Sequence, residues 1–382
     1  MTARKTAVAG PMPRAMQRRS VLLGGAALAA ASAWIPTMVM AQDVLGAAPI
    51  RGAGSTFAFP LVSAWAHDFQ RFQARGTYAP GGGLDSAPPG AALEYEPVGS
   101  LAGMLRLRAN AVDFAASDVP LSSGELQKLG LRQFPIAIGG VVLVVNIEGV
   151  PSGALRLSGP VLAQVLSGKI RRWADPALQA LNPSLKLPDE DIRVIHRAEG
   201  SGTTWNLTHY LSKVSPEWKT GIGTDLLVKW PVGSGVRSNS GLAKSVKSTR
   251  NAIGYVSYAQ ALEDRLNIAQ LQNSAGQFIV PEVKTFQTAA ALADWAGSKD
   301  FSLVLNDVAA PGAYPIVASV FVLLAKDHPP ARTSAIFNLL QWSLDNGAEQ
   351  ATRLGYVPLP PSLIGLVKAS WKANFPAAVR EG

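Results

Sequence analysis

The chain has 382 residues, with 35 Lys and Arg against 26 Asp and Glu, a formal net charge of +9 and 48% hydrophobic residues. It contains no cysteine, which excludes disulfides, thiol catalysis, zinc–thiolate sites and a lipid-modified cysteine anchor. A chain of this size can bury a large core and is expected to form about two domains.

Residues 1–41 are predicted to be a signal peptide. Five cations and no acid precede an apolar run, Val21 to Ile35, and Arg18-Arg19 directly before that run indicates a twin-arginine export signal. A small-residue end at Ala41 predicts cleavage there. The alternative is a membrane anchor from Val21 to Met40, which the weak hydrophobicity of the run disfavours.

More than half of the net positive charge belongs to this leader. Its removal takes away five Lys and Arg and no acid, so the net charge falls from +9 to +4. The remaining Lys and Arg are dispersed, and no basic helix interleaves aromatics, so no nucleic-acid partner is expected. With no lipid-anchor cysteine, the exported protein is expected to be soluble and periplasmic.

The mature chain alternates helical and extended patterns. Pro60 opens a helical pattern at Leu61, Trp65, Phe69 and Phe72. The Gly- and Pro-rich stretch Gly76 to Gly90 is predicted to be an exposed, flexible loop. Two further helices are predicted from Leu207, Tyr210, Leu211 and Val214, and from Ile336, Leu339, Leu340 and Trp342 to Leu344.

Two apolar runs, Gly139 to Asn146 and Pro315 to Leu324, have the composition of strands buried on both faces. Strands alternating with helices predict an α/β protein with mixed sheets covered by helices. No internal repeat is visible.

Two Gly-rich, hydroxyl-rich turns, Gly52 to Phe57 and Arg197 to Thr204, each precede a helical pattern. A helix start offers unpaired N–H groups and the positive end of its dipole, so such turns favour anion binding. Arg197 can add a bidentate fork to an oxyanion. The alternative for either turn alone is ordinary helix capping by Ser or Thr.

Competing motifs fail on spacing. Gly52-Ala53-Gly54 lacks the third glycine of a dinucleotide fingerprint, and the segment ending in Gly168-Lys169-Ile170 lacks the first glycine of a P-loop. Ser201 is not in a Gly-x-Ser-x-Gly elbow. The histidines have no metal-ligand spacing, so neither a metal nor a cofactor is expected; they are His67, His196, His209 and His328.

Several segments together resemble the periplasmic phosphate-binding proteins of the phosphate-specific ABC transport system, in that family's order. The likeness covers essentially all of the mature chain. The segments are Gly52 to Phe57, Ala111 to Asp118, Gly139 to Asn146, Gly168 to Trp173, Arg197 to Thr204 with Tyr210-Leu211, and Ala252 to Val256.

The resemblance implies a periplasmic-binding-protein type II fold, in which two α/β lobes are joined by two hinge strands and the ion lies in the cleft. It predicts one lobe from residues 42–137 plus 316–382 and the other from residues 138–315. It also implies a monomer that captures inorganic phosphate and delivers it to an ABC transporter permease in the inner membrane, without performing any chemistry.

The resemblance also implies the ligands of the ion. Glu199 is expected to orient Arg197, where the family often has an aspartate, and Leu101-Ala102-Gly103 replaces the family's serine and glycines after Ser100. The implied phosphate-binding residues are Thr56, Phe57 through its N–H, Ser100, Asp118, Arg197, Ser201, Gly202 and Thr203.

Asp118 is predicted to select the ion. A carboxylate repels a fully deprotonated tetrahedral anion, but it can accept a hydrogen bond from a proton that phosphate still carries near neutral pH. Sulfate carries no such proton. Sites that depend on one buried hydrogen bond can discriminate by roughly 10⁴–10⁵. The alternative for Asp118 is a turn aspartate in Ser117 to Pro120.

Two other functions remain open. The same fold could bind sulfate, a phosphonate or another oxyanion, or act as a phosphate sensor without a permease. A secreted phosphate-ester hydrolase that uses Asp118 or Ser201 is the other alternative, although no metal set or activated nucleophile is visible in the sequence.

Overall fold

The structure is a computed structural model that describes residues 48–74 and 92–379. The predicted signal peptide and the predicted loop at Gly76 to Gly90 lie outside the described residues. Among the helices described, none combines the length and apolar character that crossing a bilayer requires.

The strands of the described residues are β1 (Ile50–Gly54), β2 (Leu93–Glu96), β3 (Phe114–Ser117), β4 (Leu131–Asn146), β5 (Arg156–Leu157), β6 (Arg193–Arg197), β7 (Ser234–Val236), β8 (Ala252–Ser257), β9 (Asn267–Ile268), β10 (Gln270–Gln272), β11 (Phe278–Ile279), β12 (Val317–Ala325) and β13 (Tyr356–Val357).

The helices of the same ranges are α1 (Phe59–Ala74), α2 (Ser100–Arg108), α3 (Ser123–Leu129), α4 (Gly159–Leu166), α5 (Pro176–Leu181), α6 (Gly202–Val214), α7 (Pro216–Gly221), α8 (Asn239–Ser248), α9 (Tyr258–Glu263), α10 (Val283–Ala290), α11 (Pro330–Asn346), α12 (Ala348–Arg353) and α13 (Pro361–Asn374), with a 3-10 turn at Lys299–Phe301.

The large sheet has the strand order β2-β1-β3-β12-β4-β8-β6-β7, with β13 and β9 also paired to β4. β1 is parallel to β2 and β3, and β6 is parallel to β7 and β8. β4 and β12 run antiparallel to their neighbours. A small second sheet has the order β11-β10-β5. The sheet is therefore mixed, as predicted.

β4 joins the two halves of this sheet. Its first part, Leu131 to Gly140, pairs with β12, and its second part, Val141 to Asn146, pairs with β8. Each half of the sheet is covered by helices. The predicted two-lobed α/β fold is therefore confirmed, with both predicted hinge runs lying in adjacent strands. The residue boundaries of the two lobes stay a prediction.

β4 begins eight residues before the run from which it was predicted. Its first part contains Arg132, Gln133 and Pro135, which interrupt the apolar pattern. Pro135 has no N–H to donate, and the register between β4 and β12 shifts between Val320 and Phe321, next to its pairing position. Bulges of this kind accommodate proline inside a sheet.

The three predicted helices are confirmed as α1, α6 and α11. In α1 the spacing of Leu61, Trp65 and Phe69 places these side chains on the buried face. The α6 residues Leu207 and Leu211 are equally buried. These helices pack against the sheet and position the residues at their starts.

Gly103 tests how closely α2 approaches β1 of the sheet, and Gly365 in α13 is the control. A Cβ on Gly103 would lie 2.7 Å from the carbonyl oxygen of Ala53, whereas nothing lies within 4 Å of one on Gly365. We expect Gly103→Ala to lower the free energy of unfolding by about 1–3 kcal/mol. Gly365→Ala should raise it by about 0.5–1 kcal/mol through helix propensity. Urea denaturation measures both, and equal effects would contradict the close approach.

Candidate functional site

Polar residues follow the carboxyl ends of three parallel strands in the first half of the sheet. Ser55 and Thr56 follow β1, Ser100 lies four residues after β2, and Asp118 follows β3. Because these strands are parallel, their carboxyl ends lie at one edge, where open α/β sheets bind ligands.

The second half of the sheet repeats this arrangement. Arg197 is the last residue of β6, and Glu199 to Thr203 follow it, whereas Ser238 and Asn239 follow the parallel strand β7. The residues predicted from two separate sequence motifs therefore lie at strand ends in both halves.

Asp118 is a buried carboxyl group, with only 2% of its surface exposed. The hydroxyl of Ser55 donates a hydrogen bond to its Oδ1. Burial raises the pKa of Asp118 to about 7, although the Ser55 hydrogen bond and the charge of Arg197 act in the opposite direction. Near neutral pH, this carboxyl group can therefore gain or lose a proton.

Ser55 also organises the start of α1. Its Oγ accepts hydrogen bonds from the N–H groups of Phe57 at 2.9 Å and Ala58 at 3.0 Å. Sequence reasoning assigned the ion-binding hydroxyl to Thr56 and gave Ser55 no role. The one sequence feature that could have indicated Ser55 is its place beside Thr56 in the same Gly-rich turn.

Arg197 is the most deeply buried cation of the site, with 1% of its surface exposed. Its Nε and Nη2 both donate to Oε1 of Glu199, the Nε bond being 2.8 Å long. Its Nη1 is buried without a hydrogen-bond partner in the described part of the chain. A buried guanidinium N–H without an acceptor is costly, so this edge of Arg197 is suited to an anionic ligand.

Glu199 forms a salt bridge with Arg197. Burial alone would raise the pKa of Glu199, but the hydrogen bonds and charge of Arg197, together with the N–H of Ser238, lower it below its usual range. The Ser238 N–H donates to the same Oε1 at 2.9 Å. The longer acid therefore links Arg197 to the turn that begins α8.

The start of α6 faces Asp118. Ser201 is the N-cap residue, and its Oγ accepts from the N–H of Thr204 at 3.3 Å. A Cβ on Gly202 would lie 2.7 Å from Asp118 Oδ2 and from Ser100 Oγ, so only glycine fits between them. The hydroxyl oxygen of Thr203 is buried without a hydrogen-bond partner among the described residues.

Direct contacts join the two halves around the site. Asn239 Nδ2 donates to Thr56 Oγ1 at 2.9 Å, and the N–H of Leu101 donates to the Gly200 carbonyl oxygen at 3.3 Å. The structure is therefore closed at this edge. Sequence analysis did not predict a role for Asn239 at the site. It follows Ser238, which has a φ of 67°, and no sequence pattern indicates this unusual turn.

Leu101, which follows Ser100 and departs from the family's pattern, contacts the turn of the opposite half at Gly200. Its side chain occupies the space that a Cβ on Gly200 would need, and a Cβ on Gly99 would lie 2.7 Å from the Gly200 carbonyl oxygen. Gly99 has a φ of 93°, which favours glycine. The Leu101 side chain thus packs against the opposite turn.

Most of the predicted ligand residues converge on this edge of the sheet. Phe57 lies beside them, but its N–H already donates to Ser55, so a bound ion would share it. The Phe57 ring packs 5.9 Å from that of Tyr356. The residues that converge are Thr56, Ser100, Asp118, Arg197, Ser201, Gly202 and Thr203, with Glu199 behind Arg197.

The chemistry of this group suits a small, protonated oxyanion. It combines a guanidinium edge, hydroxyl groups and the starts of α1 and α6, which supply donors and positive partial charge. It also contains a buried carboxyl group, that of Asp118, which can accept a hydrogen bond from a protonated oxygen of the ligand. Within the described ranges, no group of three or more His, Cys, Asp or Glu side chains is placed to hold a metal ion.

Comparison with known proteins agrees with this architecture. Residues 39–346 match the model of the PBP superfamily domain, so the two-lobed fold is that of this superfamily. The chain is 43% identical over 327 residues to phosphate-binding protein PstS of Xylella fastidiosa (strain Temecula1), covering 85% of both chains. It is 40% identical to PstS of Pasteurella multocida, covering 85% of this chain and 90% of that one. The chain therefore belongs to the PstS family of phosphate-binding proteins.

A solved structure supports the same fold. The phosphate-binding protein from Stenotrophomonas maltophilia superposes with a TM-score of 0.61 at 19% identity, covering 87% of this chain and 100% of that one. At this identity the likeness concerns the fold alone.

The raised pKa of Asp118 predicts a pH-dependent stability. In the folded protein the Asp118 carboxyl group keeps its proton above the ordinary carboxyl pKa of 3.8. The contribution of this group to stability is therefore complete below pH 3.8 and is lost as the pH rises through about 7. Compared with Asp118→Asn, the phosphate-free wild type should lose a few kcal/mol of unfolding free energy over this range, about 1.4 for each pKa unit. Urea denaturation at a series of pH values measures it, and parallel curves for the two proteins would contradict the shift.

Proposed function

We propose that this protein captures inorganic phosphate in the cleft between its lobes and delivers it to an ABC transporter. The relatives at 40–43% identity are phosphate-binding proteins PstS. The observation that supports the proposal most strongly is that a buried Asp118 lies opposite a buried Arg197 whose Nη1 has no partner in the described ranges.

The ion would be held mainly by neutral donors. Glu199 already balances much of the charge of Arg197, so this arginine alone cannot neutralise a multivalent anion. The proposed remainder comes from the starts of α1 and α6 and from the hydroxyls of Thr56, Ser100 and Thr203. Fixed dipoles of this kind stabilise an anion without a large reorganisation of the protein.

Asp118 would set the choice of ion. One proton must lie between its carboxylate and the nearest phosphate oxygen, whichever of the two groups carries it. Sulfate is fully ionised near neutral pH and supplies no proton, so an ionised Asp118 would face it with an unpaired like charge. Phosphate would thus be preferred wherever Asp118 is ionised.

Binding would be coupled to hinge motion. We propose lobes of residues 42–137 plus 316–382 and of residues 138–315, which close around the ion as β4 and β12 bend between them. The contacts between Thr56 and Asn239 would form on closure. The closed surface is what a transporter permease would then recognise.

The rest of the proposal concerns the setting. Residues 1–41 would direct export, and the mature protein would act as a monomer in the periplasm beside an inner-membrane permease.

We propose binding without turnover, because the side chains that a phosphate-ester hydrolase would use are engaged in other hydrogen bonds. Ser201 caps α6, and Asp118 accepts the Ser55 hydroxyl.

Titration calorimetry with phosphate and sulfate tests the choice of ion. At about pH 8.5 we expect phosphate to bind at least 10⁴-fold more tightly than sulfate. The ratio should shrink at about pH 5.5, because the pKa of Asp118, about 7, leaves a neutral carboxyl group that can donate to sulfate. Asp118→Asn should bring the two affinities within about tenfold at both pH values. No heat with phosphate, or equal affinities in the wild type, would reject the proposal.

Arg197→Lys tests the guanidinium. A lysine cannot keep both the Glu199 contact and the edge that faces the site, so phosphate affinity should fall by at least about 100-fold. Arg332→Lys is the matched control, because Arg332 also binds a carboxylate, Asp113, but at the opposite end of β3. Equilibrium dialysis with radiolabelled phosphate should find the control unchanged. Equal losses in both variants would mean that Arg197 acts only through the general stability of the fold.

A further inference from the structure

Asn206 is a buried amide one turn beyond the start of α6, with 2% of its surface exposed. Its Nδ2 donates to the carbonyl oxygen of Gly202 at 3.0 Å, within the helix, and to the carbonyl oxygen of Asp118 at 2.8 Å. Both N–H bonds of this amide are therefore used. One fixes the side chain to its own helix, and the other reaches the residue that contacts the proposed ion.

Asn306 orients this amide. Its Nδ2 donates to both the backbone oxygen and the Oδ1 of Asn206, each at 3.1 Å. Because Oδ1 of Asn206 accepts from Asn306, Nδ2 must face Asp118. The backbone oxygen of Asn306 in turn accepts from Lys213 Nζ at 2.8 Å, so the orienting residue is itself held to α6.

The bond from Asn206 to Asp118 joins the two halves of the sheet. Asp118 follows β3 in the first half, and α6 follows β6 in the second. The backbone of Asp118 thus has one partner in each half, since its N–H also donates to Ser100 Oγ, at 3.4 Å. Separation of the lobes would break the Asn206 bond and leave the Ser100 bond intact.

We propose that Asn206 is a positioning residue that slows release of the bound ion by fastening the start of α6 to the backbone of Asp118 in the closed state. The inference rests on the proposed phosphate-binding function. Asn206 does not contact the ion; it fixes the distance between the N–H groups of α6 and the carboxyl group of Asp118.

The energetic effect falls on the closed state. Without the amide, the carbonyl oxygen of Asp118 is buried and lacks its donor when the lobes are closed, whereas water replaces the donor when they are open. Removal of Asn206 should therefore speed release and leave capture almost unchanged. The loss of one such hydrogen bond corresponds to roughly a tenfold change in rate.

The test measures the release of radiolabelled inorganic phosphate after dilution of the loaded, full-length protein into excess unlabelled phosphate. Asn206→Leu should release phosphate about tenfold faster than the wild type, with an association rate within about twofold. Asn206→Ala, which leaves the helix unstrained, should behave alike and serves if the leucine variant does not fold.

Asn182→Leu is the matched control. Asn182 is an equally buried amide, 3% exposed, that bonds to Arg156 and Leu178 in the same half of the sheet. It should lower the melting temperature while the release rate stays at the wild-type value. If Asn206 had a purely structural role, Asn206→Leu and Asn206→Ala would also lower the melting temperature and leave the release rate unchanged. A wild-type release rate in both Asn206 variants would therefore overturn the inference. If the wild type itself retains no labelled phosphate, the proposed function is wrong and the inference falls with it.

Discussion

A water-excluding anion site depends first on the balance of its own buried charges. Arg197 is 1% exposed, and a guanidinium at that depth is tolerable only when its donors are satisfied. Glu199 satisfies two of them, which leaves one edge of Arg197 for a ligand. Asp118 supplies a carboxyl acceptor opposite. The parallel strand ends, the two helix starts and the closed contacts between the lobes all place other donors around this pair.

The division of the sheet along β4 makes this arrangement possible. Its two parts pair with different strands, so one continuous strand joins both halves of the sheet, and the proposed hinge motion would bend it between them. Contacts such as Asn239 to Thr56 and Asn206 to Asp118 cross the site between the halves, and the proposed opening of the lobes would break both. We therefore propose that the bonds that complete the site also slow its opening.

Much of the fold could be predicted from the sequence, because the signals were local. The burial pattern of α1 follows from the spacing of its apolar residues, and the Gly-rich turns before α1 and α6 contain Thr56 and Thr203. The first part of β4 was missed because Pro135 interrupts its pattern, and only pairing with β12 makes it a strand. Asp118 and Ser100 were proposed as ligands through the family resemblance alone, since an isolated aspartate in a turn or serine at a helix start has no distinctive signal.

The contacts between side chains could not be predicted. Ser55 is one residue from Thr56 in sequence, and only the three-dimensional arrangement shows that Ser55 is the one that donates to Asp118.

The most direct measurement of the central claim is a crystal structure of the protein grown with phosphate. It should place the ion against Arg197 Nη1 and the start of α6, with one of its oxygens within hydrogen-bonding distance of Asp118. An ion bound elsewhere, or one with no oxygen near Asp118, would contradict it.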